Sequence, residues 1–194
     1  MDRVLDFIRT NVIDTPTLVL SLDSLERNYR NFIESMPGVN VHYALKANPH
    51  PRILEELTKM GSGFDAASLQ EIAMCIDAGC DPSKISFGNT VKYPSAIRGA
   101  AMLGIDLFAA DSFEELNKIA ENAPGSRVYI RLLVRSTEAE WPLSRKFGCS
   151  LSMAPMLFDW ARHLDLRPVG LSFHVGSQTR HPHMWLDTLD RPLS

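Results

Sequence analysis

The sequence predicts an α/β fold in which parallel strands alternate with helices, as they do in a (β/α)8 barrel. Short apolar or β-branched runs recur along the chain, and the first five start about 22 residues apart. The stretches between these runs show the periodicity of amphipathic helices. A polar residue stands near the end of each run, and these residues are Lys46, Asp65, Asn89, Asp111, Arg131 and His174.

Two architectures suit this alternation, because right-handed crossovers between parallel strands build either an open doubly wound sheet or an eight-stranded barrel. No G-x-G-x-x-G follows the first strand, which weakens the dinucleotide-binding version of the open sheet. Polar residues at several successive strand ends are typical of the C-terminal face of a barrel. The pattern therefore favours the barrel.

Composition excludes several function classes. The chain has 194 residues, 45% of them hydrophobic, which suffices for one domain with a substantial core. The formal charge of -3 gives no basic field for a nucleic acid, and no apolar run approaches the length of a membrane helix. The first residues lack the apolar centre of a signal peptide, and three cysteines without a C-x-x-C pair suit reduced thiols. We expect a cytoplasmic protein.

The elements follow in order along the chain. Residues 1–35 are predicted to form a helix, a strand at 17–21 and a helix at 23–35, leading into a barrel domain over residues 36–194. The barrel strands are predicted within 40–46, 61–67, 84–90, 105–111, 127–134 and 168–177. With about six of eight strands, the barrel is incomplete in this chain.

Helix boundaries follow from capping residues. Ser68 and Ser112 stand at N-cap positions, and each has a glutamate, Glu71 or Glu115, three residues later, as in a capping box. Glycines close three of the helices, as C-terminal glycines do: Gly61, Gly79 and Gly104.

Lys46, in "HYALKAN", has two interpretations. A lysine at a strand end is commonly solvated. The preceding "VHYAL", however, places it at the inner mouth of a buried strand, where an apolar wall would desolvate the amine and suit it for a Schiff base with an aldehyde cofactor.

His174, in "SFHVGS", is either a core histidine with a satisfied hydrogen bond or an imidazole lying flat against a planar ring. In the second interpretation, Gly176 and Ser177 offer backbone N–H groups and a hydroxyl to a phosphate.

Asp65 and Arg131 are expected at neighbouring strand ends, either as a structural ion pair across the barrel mouth or as charges that tune Lys46. Glu71 is predicted to be a helix cap rather than a catalyst. The two histidines of "HPH" at 181–183 lack a convincing third ligand, so no metal site is predicted.

Taken together, these stretches resemble the basic amino-acid decarboxylases that use pyridoxal 5'-phosphate (PLP), which have an alanine-racemase-like barrel. The matching motifs occur in the family's order from about 15 to 185: "TPTLVLSLDSL", "HYALKAN", "GSGFDAASLQEI", "KISFGNTVK", "WPLSRKFG" and "GLSFHVGSQ". Several of them look more like the ornithine and lysine branch than the diaminopimelate branch.

The resemblance implies roles for five residues. Lys46 would form an imine with PLP, His174 would stack on its pyridine ring and Ser177 would contact its phosphate. Asp65 and Arg131 match pocket residues of the family. The implied reaction converts ornithine or lysine to putrescine or cadaverine, in polyamine biosynthesis, within a homodimer.

The family continues for roughly as long again beyond the last motif. The missing part holds further phosphate-binding residues, an acid facing the pyridine nitrogen and a C-terminal β-domain, so we expect little activity from this chain alone. Three alternatives stay open: a diaminopimelate decarboxylase, a truncated or non-catalytic relative acting as a binding or regulatory module, and a small PLP-binding protein of the same barrel type.

Overall fold

Six parallel strands form one sheet, and their order across the sheet is their order along the chain. The computed structural model describes residues 3–134, 146–177, 183, 185 and 186. All six predicted strands are confirmed within shorter bounds, although the sixth begins one residue earlier than predicted. The strands are β1 His42–Ala44, β2 Gly63–Ala66, β3 Ile85–Phe87, β4 Leu107–Ala110, β5 Arg127–Arg131 and β6 Arg167–Ser172.

Among the described residues, two helices precede the first strand: α1 Arg3–Thr10 and α2 Leu22–Ser35. The helices that connect the strands form a single layer, and they are α3 Pro51–Lys59, α4 Leu69–Asp77, α5 Pro94–Met102, α6 Phe113–Asn122 and α7 Ala154–His163. From α3 to α7, each helix packs against the next one. A doubly wound sheet would reverse its strand order and place helices on both faces. The sequential sheet and the single helix layer therefore agree with the wall of a barrel.

The two faces of the sheet differ in polarity. Phe64, Phe87 and Phe108, on adjacent strands, are fully buried or nearly so and belong to the core that the sheet shares with the helices. Burial of each ring contributes about 1.5–3 kcal/mol to folding. Because side chains alternate along a strand, the residues between these rings face the concave side, and several of them are polar.

The predicted helix caps are largely confirmed. The Ser68 hydroxyl accepts the Glu71 N–H at 3.2 Å, and the Glu71 carboxylate accepts the Ala67 N–H at 2.6 Å. Glu71 is thus a cap, as predicted. Three helices end before a glycine with positive φ, again as predicted: Gly61, Gly79 and Gly104.

Glu115 departs from the prediction, because its carboxylate does not serve α6 as a capping box. It lies instead 2.9 Å from the Lys92 Nζ and 2.5 Å from the Lys118 Nζ. The enclosed Lys92 ammonium also donates to the carbonyl oxygens of Asn89 at 2.8 Å and Ala109 at 2.6 Å. Burial lowers the pKa of Lys92, and Glu115 opposes this effect. This ion network ties the loop after β3 to β4 and α6.

The prediction of a strand at 17–21 is wrong. The structure describes these residues, but they form no part of the sheet, and Leu18 is 82% exposed. A strand needs a partner for its backbone groups, and none of the described strands pairs with this segment. The helix predicted at 23–35 is confirmed as α2, which packs on the core through Leu25 and Tyr29.

No described helix is both long enough and apolar enough to cross a membrane.

Candidate functional site

A cavity of about 740 Å³ opens on the concave side of the sheet, and residues from all six strands line it. Four of the five predicted site residues lie on its wall: Lys46, Asp65, Arg131 and His174. Asn89 and the cap residue Glu71 contribute as well. The structure therefore brings together side chains that are as far as 128 positions apart in the sequence.

Lys46 lies in a short 3₁₀ turn, Leu45–Ala47, directly after β1. The fully buried Leu45 anchors this turn in the core, and Lys46 is exposed on the cavity wall. The prediction of an apolar wall that desolvates the amine is wrong for this chain, because Lys46 is exposed and the charged Asp65 lies near it. The lysine is thus an accessible amine.

Asp65 is held by a hydroxyl group. The Ser86 Oγ donates to the Asp65 Oδ1 at 2.9 Å, and Gly88 has no side chain where the carboxylate lies. Burial raises the pKa of Asp65, while the Ser86 hydrogen bond and the charges of His42 and Lys46 lower it. The carboxylate is therefore half-buried and faces positively charged groups of the cavity.

The predicted proximity of Asp65 and Arg131 is wrong. Asp65 is on β2 and Arg131 is on β5, so β3 and β4 lie between them. Among the ion pairs of the described residues, none joins the two side chains. The even spacing of strand-end charges along the sequence did not reveal which strands are adjacent.

Arg131 contacts the segment at 147–149. Its guanidinium lies over the Phe147 ring, 5.5 Å from the centroid, and its carbonyl accepts the Cys149 N–H at 2.9 Å. The Gly148 N–H donates to the Asp111 Oδ2 at 2.7 Å. Asp111 thus holds this segment over β4 and β5. Of the motif "WPLSRKFG" at 141–148, residues 141–145 lie outside the described residues.

His174 is half-buried, and its Nδ1 accepts the Gly176 N–H at 2.9 Å. A ring nitrogen that accepts a hydrogen bond carries no proton, so the neutral ring has its proton on Nε2. Burial lowers the pKa of His174, and the charges of Lys46 and Arg131 act in the same direction. Ser177, the fifth predicted residue, is exposed and is not part of the described cavity lining.

Among the described residues, no three His, Cys, Asp or Glu side chains form a group that could hold a metal. Residues 181 and 182 of the "HPH" stretch lie outside the described residues.

The lowered pKa of His174 predicts a pH dependence of stability. Since its folded-state pKa lies below the ordinary value of 6.5, the unfolded chain binds more protons in this window. The stabilising contribution is present above 6.5 and is lost as the pH falls through the folded-state pKa. We expect NMR titration of the His174 ring to give a lower pKa in the folded chain than in the urea-unfolded chain.

His174→Gln should remove this part of the pH dependence in urea unfolding curves, and His163→Gln should leave it intact. Equal titration midpoints of the His174 ring in the folded and the unfolded chain would contradict the prediction.

Sequence reasoning missed Ser86, Gly88 and Tyr129, which also line the cavity. The alternation of side chains along a strand could have identified them. Tyr129 is two positions before Arg131 on β5 and therefore lies on the same face. Ser86, in β3, and Gly88, directly after β3, are also two positions apart and share the concave face.

Comparisons with known proteins extend over most of this chain. The sequence model of the family described as "Pyridoxal-dependent decarboxylase, pyridoxal binding domain" matches residues 22–193. Ornithine decarboxylase of Schizosaccharomyces pombe is 37% identical over 173 residues, which are 89% of this chain and 40% of that protein. The lysine/ornithine decarboxylase of Selenomonas ruminantium is 39% identical over 167 residues, which are 86% of this chain and 42% of that protein.

A solved structure of SrLDC in complex with PLP and cadaverine superposes with a TM-score of 0.85 at 35% identity. The superposition covers 96% of this chain and 46% of that chain. The chain thus spans less than half the length of these relatives. Their agreement with the family match confirms the resemblance and the barrel type, and the chain belongs to the pyridoxal-dependent decarboxylases as their pyridoxal-binding domain.

Proposed function

We propose that the protein containing this domain decarboxylates a basic amino acid, ornithine or lysine, to putrescine or cadaverine in polyamine biosynthesis. The observation that carries the proposal is the meeting of Lys46 and His174 on one cavity wall. The relatives named ornithine and lysine/ornithine decarboxylase support the choice of a basic substrate.

The residues of the cavity fit PLP by their chemistry. A primary amine at Lys46 is the group that bonds an aldehyde, and the imidazole of His174 is a flat partner for an aromatic ring. The volume of about 740 Å³ lies in the range of small-molecule sites. Gly176, with φ 110°, leads into Ser177, whose N–H and hydroxyl groups suit a phosphate.

Bound PLP supplies an electron sink for the electron pair that stays behind when the α-carboxylate leaves as carbon dioxide. The chain's own residues supply the attachment and the electrostatics. Lys46 would hold the cofactor covalently, on a turn fixed by the buried Leu45. Burial and the charges of Lys46 and Arg131 lower the pKa of His174, and the Gly176 N–H donates to its Nδ1, so the neutral ring is favoured and adds no positive charge to the wall.

Arg131 brings a fixed positive charge to the wall for an anionic group of cofactor or substrate. The Phe147 ring, packed on the guanidinium, limits its motion without neutralising it. Asp65, on the strand beside β1, brings a negative charge close to the positive charge of Lys46.

The test is to add PLP to the purified chain, reduce it with borohydride and locate the adduct by mass spectrometry. We expect one dominant adduct on Lys46, and none there in Lys46→Ala. Lys59→Ala, which removes an exposed lysine of α3, should leave the Lys46 adduct unchanged. Adducts scattered over surface lysines, or no adduct, would favour the non-catalytic module instead.

The substrate is tested separately, by carbon dioxide release from carboxyl-labelled ornithine and lysine. The assay uses a longer protein that contains this domain, and release from neither amino acid would refute the proposed reaction.

The proposal also includes a homodimer and a cytoplasmic location. Three free, buried cysteines suit a reducing compartment and support the second of these. Size-exclusion chromatography with light scattering tests the first.

A further inference from the structure

A row of hydroxyl groups crosses the cavity beneath the strand ends. Ser86 is only 5% exposed, and the sheet register sets it directly beside Asp65 on the neighbouring strand. Its hydroxyl donates to the Asp65 carboxylate at 2.9 Å, and the half-buried Tyr129 side chain lies close enough to interact with both residues. This group of polar side chains extends from Asp65 on β2 to Tyr129 on β5.

Small residues make this connection possible. Tyr129 pairs in register with the fully buried Ala109 of β4, so no large side chain at that position separates its ring from β3. A Cβ atom at Gly88 would overlap the Asp65 carboxylate. The carboxylate therefore occupies a place that the backbone leaves open and that the two hydroxyl groups define.

We propose that Ser86 and Tyr129 are positioning residues, which hold the Asp65 carboxylate over Gly88 so that its negative charge acts on Lys46. The inference rests on the proposed function, because the orientation of Asp65 matters to catalysis only when Lys46 carries the cofactor. Without the Ser86 hydroxyl, the carboxylate loses its hydrogen-bond donor and can rotate over the open cavity.

Several charged or titratable groups line the same cavity as Asp65. They are His42 within β1, Lys46 after β1, Glu71 on α4, Tyr129 and Arg131 on β5, and His174 after β6. Of these, His42 and Lys46 lower the pKa of Asp65 and Glu71 raises it. The Ser86 hydrogen bond lowers the pKa of Asp65 more than any of these charges does. Removal of the Ser86 hydroxyl should therefore raise the pKa of Asp65 measurably.

The test follows the side-chain carboxyl resonance of Asp65 by ¹³C NMR during a pH titration of the chain without PLP. Ser86→Ala should shift the Asp65 midpoint upward, because the charged form loses its donor. Tyr129→Phe should produce a smaller upward shift. Ser86→Thr keeps a hydroxyl and should restore the wild-type midpoint, a rescue that a purely packing role would not produce.

Matched controls are Ser126→Ala, which removes a buried serine hydroxyl at the start of the sheet, and Tyr29→Phe on α2. Both should titrate like the wild-type chain. An Asp65 midpoint that is the same in Ser86→Ala and Ser126→Ala would overturn the inference.

Borohydride trapping of PLP on the same variants distinguishes a failure of the positioning role from a failure of the proposed function. A Lys46 adduct in the wild type together with an unchanged Asp65 titration would overturn this inference alone. Absence of the Lys46 adduct in the wild type would overturn the proposed function, and the positioning role would fall with it.

Discussion

Glu115→Ala should lower the free energy of unfolding by about 3–5 kcal/mol, the usual cost of removing one partner of a buried ion pair. The Lys92 side chain is completely enclosed, and in the variant its ammonium would keep only two carbonyl oxygens, those of Asn89 and Ala109. Lys118 would lose its carboxylate partner as well and would keep its hydrogen bond to the Lys92 carbonyl oxygen. Urea unfolding followed by circular dichroism measures the effect.

Glu114→Ala is the matched control, since this exposed glutamate precedes Glu115 on the same helix and should cost less than about 0.5 kcal/mol. The double variant Lys92→Met with Glu115→Leu replaces both charges by apolar groups. It should be more stable than the summed effects of the single variants Lys92→Met and Glu115→Leu predict. Equal costs for Glu115→Ala and Glu114→Ala would show that the network does not stabilise the fold.

The strands and most helix ends could be predicted because their causes are local. Each strand run is followed by a helix with its own cap, as at Ser68, and the helix before it ends at a glycine, as at Gly61. These contacts join residues a few positions apart, so a single sequence contains both partners.

The errors concern pairings between distant residues. Residues 17–21 have the local pattern of a strand, yet a strand exists only where a second strand accepts its hydrogen bonds. Glu115 sits in a capping-box sequence, but Lys92, 23 positions earlier, takes its carboxylate. In both cases the residues matched the local pattern. The presence or absence of a contact with a distant residue, which the pattern does not encode, decided the outcome.

The site shows the same division. Lys46, Asp65, Arg131 and His174 could be placed in one cavity because parallel strands bring their carboxyl ends to one edge. The partner of Asp65 could not be predicted, since Ser86 is an ordinary strand residue until the register sets it beside the carboxylate. The roles assigned to these residues stay predictions.

Gly148→Ala should release the segment at 147–149 from the strand ends that it covers. Gly148 has φ 106°, and an added Cβ atom would lie 2.6 Å from the backbone carbon of Leu132 and the nitrogen of Leu133. These atoms are fixed by the bond from the Leu133 N–H to the Cys149 carbonyl at 2.8 Å. The conformation alone costs a non-glycine residue about 1–3 kcal/mol.

Release of the segment should expose Cys149, whose residue is 4% accessible in the folded chain. Since about 1.4 kcal/mol corresponds to a factor of ten in an equilibrium, we expect its alkylation by iodoacetamide to accelerate on the order of tenfold. Cys75 is the internal control, because it is fully buried and burial raises the pKa of its thiol to about 12. Gly170→Ala is the matched variant, since its Cβ would meet nothing within 4 Å.

Local release predicts that Cys149 reacts faster in Gly148→Ala while Cys75 stays protected, and that Gly170→Ala resembles the wild type. Equal acceleration at both cysteines would mean global unfolding and would contradict a local role for Gly148. An unchanged rate at Cys149 would show that the backbone of Leu132 yields to the new methyl group. Because Phe147 lies on the Arg131 guanidinium within this segment, its release also frees the one arginine on the described cavity wall. Gly148 therefore links a backbone conformation that other residues rarely adopt to the position of the Arg131 charge in the site.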